Sequence, residues 1–157
     1  MQPAMALSSP SDLELIFRLA IAALLSVPLG LEREASGKAA GLRTHMLVCI
    51  SAAFFVILGE VMVSRYGGDS NLKLDPLVTL GAVATGVSFL GAGTIFVSRS
   101  GGGVQGLTTA ASILATSAVG VAVGLERYLL AAASVAMLFV ILNVLGRVSA
   151  NTPKPPK

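Results

Sequence analysis

The residues best suited to chemistry in this sequence are concentrated in one short polar segment, residues 30–45. The segment carries two acids and three bases that could pair, together with the only histidine, between two long apolar runs. Its candidate functional side chains are Glu32, Arg33, Glu34, Lys38, Arg43, Thr44 and His45. Such groups can form ion pairs, cap helix ends or bind a charged partner. A plain connection between apolar runs needs none of them, so function is expected here.

The elements that position these residues are apolar and long. The chain is 54% hydrophobic and 12% charged, with a mean hydropathy of +0.83, which is outside the range of soluble domains. Its apolar runs cover residues 13–31, 46–63, 76–97, 107–123 and 128–145. Each is close to the roughly 17–25 residues with which a helix crosses a bilayer. The sequence therefore predicts an all-α integral membrane protein with five transmembrane helices.

The basic residues predict the orientation of these helices. Seven Lys and Arg residues fall on one side, in the first loop, the third loop and the C-terminal end, and three fall on the other. The richer side is expected to be cytoplasmic. Residues 1–12 then form an extracytoplasmic segment, residues 13–146 the membrane domain, and residues 147–157 a short disordered cytoplasmic tail. The net charge of +3 reflects this topology, and no nucleic-acid partner is expected.

An internal repeat is suggested by matching glycines and glutamates. Gly41 begins a GLRT sequence that is followed by an apolar run to Gly59, and Gly106 begins a GLTT sequence followed by a run of equal length to Gly124. A glutamate follows soon after each closing glycine. We therefore predict a parallel repeat of helix hairpins 1–2 and 3–4, with a fifth helix added. The alternative is a chance likeness between glycine-rich helix ends.

Small residues predict close helix packing in the third and fourth spans. The packing glycines are Gly86, Gly91, Gly93, Gly120 and Gly124. Small side chains let membrane helices approach closely, so these two spans are expected to form the packed centre of the bundle or the seam of a homodimer. The same spans carry hydroxyls, among them Ser88, Thr108 and Thr109. These hydroxyls either bond a carbonyl one turn back or line a polar pathway.

Two ion pairs are expected. Arg18 lies inside the first apolar run, where an unpaired charge is costly, and its candidate partners are Glu14 on the same helix and Glu60 near the end of the second run. In the polar segment, Glu32 is expected to pair with Arg43, which leaves Arg33 free for an external partner. The alternative is that these charges only anchor the helix ends at the lipid headgroups.

Other features bear on helix ends and catalysis. Thr44 and Thr109 are candidate N-caps of the second and fourth helices, whose N-termini would form an anion-friendly mouth. Cys49 is the only cysteine and is expected to be a buried apolar side chain. The sequence has no cluster of His, Cys or Asp at metal-ligand spacing and no nucleophile or phosphate-loop motif. We therefore expect no enzyme activity, no resident metal and no cofactor.

Six ordered motifs make this sequence resemble the MgtC/SapB family. They are GLERE (30–34), GK (37–38), AGLRTH (40–45), DP (75–76), GVSFLGAG (86–93) and GLTTAAS (106–112). The resemblance covers roughly residues 14–146. It implies a multi-pass protein of the bacterial inner membrane, linked to magnesium homeostasis and virulence. It also implies regulation of a membrane partner such as the F-type ATP synthase, and it favours a functional role for the polar segment.

The departures from the family pattern bear on the partner. Many relatives carry a soluble domain after the fifth span, whereas this sequence has only a short tail there, so any function that needs that domain is in question. Val78, Ala82, Ser88 and Leu114 stand where relatives often have Arg, Gln, Gly and Trp. Two functions are therefore kept open. One is a regulator that binds another membrane protein, and the other is a small dimeric channel or carrier for magnesium or another cation.

Overall fold

The computed structural model of the chain describes residues 11–67, 75–97 and 103–146. Its elements are, in order, α1 (Asp12–Ala35), α2 (Leu42–Tyr66), α3 (Pro76–Ala92), strands β1 (Phe96–Val97) and β2 (Val104–Gln105), α4 (Leu107–Gly124), α5 (Tyr128–Val140) and a π-helical turn (Ile141–Leu145). Most of the predicted segment 1–12 and all of the predicted tail 147–157 lie outside the described residues.

The apolar runs form helices, as predicted. Among the described elements, α1, α2 and α4 are long and apolar enough to cross a membrane, and α3 and α5 are shorter apolar helices. The mainly α-helical fold of a membrane protein is thus confirmed. The count of five spans and the parallel repeat stay predictions.

The helix formed by the third apolar run ends earlier than predicted. α3 stops at Ala92 because Thr94 closes its last turn, with its backbone N–H 2.9 Å and its hydroxyl 2.7 Å from the carbonyl oxygen of Gly91. The chain then enters β1, which pairs antiparallel with β2 through Phe96 opposite Gln105. The predicted end at residue 97 was therefore wrong, since the last residues of the run belong to a hairpin.

The centre of the bundle is α4, which packs against α1, α2, α3 and α5. Its glycines allow the close contact with α2. A Cβ on Gly120 would collide with the backbone carbonyl of Cys49 and lie 3.0 Å from the Cβ of Ala52, and one on Gly124 would lie 2.8 Å from the Cβ of Val56. Gly120 and Gly124 thus bring the backbones of α2 and α4 together, as dispersion-driven packing in a membrane requires.

By contrast, α3 lies at the edge of the bundle and packs mainly on α2 and α4. Gly91 is buried, and a Cβ on it would lie 3.5 Å from the Cβ of Ala110 in α4, whereas Gly86 and Gly93 are exposed. A Cβ on Gly86 would meet no atom within 4 Å. The prediction that α3 shares the packed centre was therefore wrong, because its small residues leave most of its surface unpartnered. A homodimer seam on α3 stays a prediction.

Two ends of the bundle carry the buried charges. The Arg18 end holds Arg18 of α1, the last turns of α2 and the connection from α4 to α5. The Arg33 end holds the last turn of α1, the start of α2 and the π-helical turn. These two ends are the candidate functional sites.

Candidate functional site

At the Arg18 end, one buried guanidinium joins three parts of the chain. Arg18 is only 2% exposed, and its Nη1 donates to Glu60 Oε2 at 2.8 Å and contacts the carbonyl oxygen of Gly124 at 3.4 Å. Its Nη2 forms an ion pair with Glu126. Of the two expected partners, the structure thus selects Glu60 and not Glu14. The pair holds α1 against α2 and against the turn after α4.

Glu126 is a partner that sequence reasoning missed. The sequence contains a feature that points to it, because Glu60 and Glu126 follow the two closing glycines of the predicted repeat.

Glu126 also has a positive φ of 60°, which is uncommon for a residue with a side chain. The Nε atom of Arg18 is buried and has no hydrogen-bond partner in the described part of the chain.

The two acids face a cavity of about 380 Å³ at this end. Glu60 and Glu126 are about half exposed, so each carboxylate bridges the buried Arg18 and the open space. The other walls come from α2, α3 and the α4–α5 turn, as Val56, Gly59, Val63, Thr79, Leu80 and Leu125. The cavity is therefore acidic at one wall and apolar at the others.

At the Arg33 end, neighbouring residues form the ion pair. Arg33 Nη2 donates to Glu32 Oε1 at 2.7 Å, and Arg33 Nε donates to Glu32 Oε2. The Ser36 hydroxyl donates to Glu32 Oε1 at 2.9 Å. Arg33 is only 4% exposed, whereas Arg43 is exposed. The expected pair of Glu32 with Arg43 was wrong, because the buried Arg33 takes this carboxylate and Arg43 reaches solvent.

Glu34 caps the second helix. The backbone N–H of Leu42 donates to Glu34 Oε2 at 2.9 Å, which satisfies a donor that a helix start leaves unpaired. The N-cap residue is Gly41, and a Cβ there would lie 2.9 Å from Glu34 Oε2. The prediction that Thr44 is the N-cap was therefore wrong, since α2 already begins at Leu42 and Thr44 lies in its first turn.

The fourth helix is also capped by a glycine. Gly106 has a φ of +87°, and its N-cap position provides no side-chain hydrogen bond. A Cβ there would collide with the carbonyl of Thr94, so the left-handed conformation and the close approach both favour glycine. Thr109, predicted as this cap, is instead buried within α4, and Thr108 is exposed.

His45 couples the starts of α2 and α4. It is fully buried, and its Nδ1 lies 2.9 Å from the carbonyl oxygen of Gly41, which can only accept a hydrogen bond. Its Nε2 lies 3.3 Å from Ser112 Oγ. The Ser112 hydroxyl in turn lies 2.8 Å from the carbonyl oxygen of Thr109. His45 is thus a connection inside the bundle, not a group that a partner can reach.

The remaining polar residues divide between core and surface. Ser112, Thr116 and Ser117 are buried and donate to carbonyl oxygens about one turn back, so the local hydrogen bond is confirmed for these three. Ser88 and Lys38 are exposed. No group of three or more His, Cys, Asp or Glu residues that could hold a metal ion is found among the described residues.

The chain is similar in sequence to known proteins of one family. The sequence model of the MgtC family matches residues 19–151. The protein named "Putative magnesium transporter YhiD" from Escherichia coli (strain K12) is 39% identical over 131 residues, which cover 83% of this chain and 60% of the relative. "Protein SapB" from Bacillus subtilis (strain 168) is 33% identical over 140 residues, which cover 89% of this chain and 59% of the relative.

A third relative carries the name of the matched family. "Protein MgtC" from Brucella abortus (strain 2308) is 40% identical over 123 residues, covering 78% of this chain and 47% of the relative. The chain thus spans about half to three fifths of the length of these relatives. No solved structure matches the chain significantly.

Proposed function

Because the chain belongs to the MgtC family, we propose that it is a multi-pass regulator of the bacterial inner membrane that acts by binding another membrane protein. In this proposal five helices cross the bilayer, with the N-terminus outside and the Arg33 end in the cytoplasm. The partner proposed from the family resemblance is the F-type ATP synthase, and the physiological setting is growth at low magnesium and virulence. The name of the YhiD relative supports the link to magnesium.

The exposed face of α3 is the observation that carries this proposal. A Cβ on Gly81 or Gly86 would meet no atom within 4 Å, and Ala82 and Thr85 are exposed beside them. Within a bilayer, helices associate through small residues that let backbones approach. This face therefore suits a transmembrane helix of a partner better than it suits lipid alone.

The proposal is tested by reconstituting the full chain with purified bacterial F-type ATP synthase in proteoliposomes. ATP-driven proton pumping is expected to fall when the chain is present. Gly86→Leu should remove this inhibition because a bulky side chain keeps a partner helix away. The matched control is Ala132→Leu, which places the same side chain on an exposed position of α5. Equal pumping with and without the parent chain would overturn the proposal of this partner.

A second candidate function is a small dimeric carrier for magnesium or another cation. The observation that favours it is the acidic cavity at the Arg18 end, where Glu60 and Glu126 face about 380 Å³ of open space. Magnesium influx into proteoliposomes that hold a magnesium-sensitive dye would test it. Flux that falls with Glu60→Gln but not with Glu14→Gln, which changes an exposed acid of α1, would favour the carrier over the regulator.

A further inference from the structure

A second cavity, of about 730 Å³, lies at the Arg33 end between the end of α1 and the end of α5. It is separate from the exposed face of α3 and from the acidic cavity. Its walls combine two basic side chains, Arg33 and Lys38, with the amide of Asn143 and apolar groups. A volume of this size falls in the range of ligand-binding pockets, which join mainly apolar walls to a few polar groups.

The local fold fixes the backbone at Lys38 and the side chain of Arg33. Gly37, with a φ of +64°, makes the turn that brings the backbone N–H of Lys38 to 3.0 Å from the carbonyl oxygen of Arg33. Arg33 is only 4% exposed, and its Nε and Nη2 are bonded to Glu32. Among the described residues, the hydrogen bonds of this guanidinium use Nε and Nη2 and leave Nη1 unused. Arg33 is one of the residues that line the cavity.

The charge of the cavity favours an anion. Glu32 also lines it and neutralises one of the two cations, which leaves an excess of one positive charge from Lys38. A guanidinium N–H, an ammonium and an amide are all donors that suit phosphate oxygens.

Part of the cavity wall is apolar. It is formed by Leu31 of α1, Phe139 of α5 and Leu142 of the π-helical turn. Leu31 is 51% and Phe139 39% exposed, so this wall is open at its edge. The π-helical turn contributes Asn143, and such turns in helices often occur at functional sites. Polar donors and an open apolar wall therefore meet in one cavity at the end of a membrane bundle.

We propose that this cavity binds an anionic phospholipid of the bilayer leaflet at the Arg33 end. The phosphate contacts Arg33 Nη1, Lys38 and Asn143, and the first part of an acyl chain lies along Leu31 and Phe139. Basic pockets between membrane helices bind such headgroups elsewhere by the same charge attraction. The apolar wall is what favours a lipid over free phosphate, and the proposal does not depend on the partner proposed above.

The test is a binding titration of the full chain in neutral detergent, followed by native mass spectrometry. The probes are dioctanoyl phosphatidylglycerol, dioctanoyl phosphatidylcholine and inorganic phosphate. Phosphatidylglycerol is expected to bind more tightly than phosphatidylcholine. Lys38→Gln should weaken the binding of phosphatidylglycerol about fivefold, which is the usual contribution of one basic residue near an anionic lipid. Lys38 is exposed, so this variant is expected to fold.

Arg43→Gln is the matched control, because it removes an exposed base from the same end without touching the cavity walls. It should leave the affinity for phosphatidylglycerol unchanged. Equal affinities for the two lipids, or equal losses in Lys38→Gln and Arg43→Gln, would overturn the proposal. Displacement of phosphatidylglycerol by millimolar inorganic phosphate would show a site for free phosphate and would overturn the choice of a lipid.

Discussion

Arg18 and Glu60 are 42 residues apart in the chain, yet their side chains form an ion pair with an N–O distance of 2.8 Å. The cation is 2% exposed and the carboxylate 47%. The pair therefore connects the interior of the bundle with its surface. Glu126 provides a second carboxylate for the same guanidinium, so the charge of Arg18 is compensated twice.

This double compensation predicts a non-additive effect of removing the acids. Glu60→Gln and Glu126→Gln alone should each lower the free energy of unfolding by about 1 kcal/mol or less, because each acid is half exposed and the other still pairs with Arg18. The double variant leaves a buried cation without a partner and should cost about 3–5 kcal/mol. Unfolding titrations in detergent measure all three. Glu14→Gln serves as a control, and strictly additive losses would contradict shared compensation.

Two glycines should respond differently to the same small substitution. Gly120→Ala places a methyl group against the backbone of α2 and is expected to lower the free energy of unfolding by about 1–3 kcal/mol. Gly86→Ala adds a methyl group in open space and should change it by less than about 1 kcal/mol, with a slight gain from helix propensity. Thermal unfolding of the purified variants measures the contrast, and equal melting temperatures would show that α2 and α4 do not pack this closely.

The pair of Glu32 and Arg33 is expected to behave as a unit. Arg33→Gln removes the buried cation, and Glu32→Gln leaves that cation uncompensated, so each should lower stability, Glu32→Gln by about 3 kcal/mol. The double variant should lose less than the sum of the two, because the interaction can be lost only once. A double-mutant cycle on unfolding free energies gives the coupling energy. The corresponding cycle of Glu32 with Arg43 should give no coupling energy.

The cap on α2 can be measured locally. Glu34→Ala removes the oxygen that accepts from the Leu42 N–H and should cost about 1 kcal/mol, as for other helix caps. Amide hydrogen exchange should become faster at the start of α2 and remain unchanged in α4. A variant whose exchange at Leu42 matches the parent would show that water replaces this cap at no cost.

The proposed orientation has a direct test. Single cysteines at Ser36 and Arg127, which are exposed at opposite ends of the bundle, are introduced after the buried Cys49 is changed to Ala. A membrane-impermeant maleimide added to intact cells should label position 127, and position 36 only after permeabilisation. Labelling of both positions from outside would contradict a topology with the Arg33 end in the cytoplasm.

The helices could be predicted from sequence because each is an apolar run bounded by glycine, proline or charge. The burial of α4 and the exposure of α3 could not be separated, since Gly120 and Gly86 lie in equally small and apolar surroundings along the chain. Their different roles arise only when α2 packs against α4. Likewise, the choice of Glu60 over Glu14 depends on where the end of α2 lies.

The polar segment was located from sequence, but its pairing was not. Neighbouring residues on a helix do not normally face each other, so helix spacing alone does not predict Arg33 as the partner of Glu32. In the last turn of α1, the long side chains of Glu32 and Arg33 nevertheless bend toward each other and form the ion pair. The burial of Arg33 against the rest of the bundle has no signal in its own sequence surroundings.

The Arg18 cluster also has a consequence for biogenesis. During synthesis α1 reaches the membrane before either of its acidic partners exists. Arg18 is near the start of α1, so its long side chain can extend to the headgroups in the meantime. Glu60 becomes available once α2 has inserted, and Glu126 only after α4 has followed. If the helices insert in chain order, the cluster closes in two stages, with the contact between α1 and α2 formed before the docking of α4.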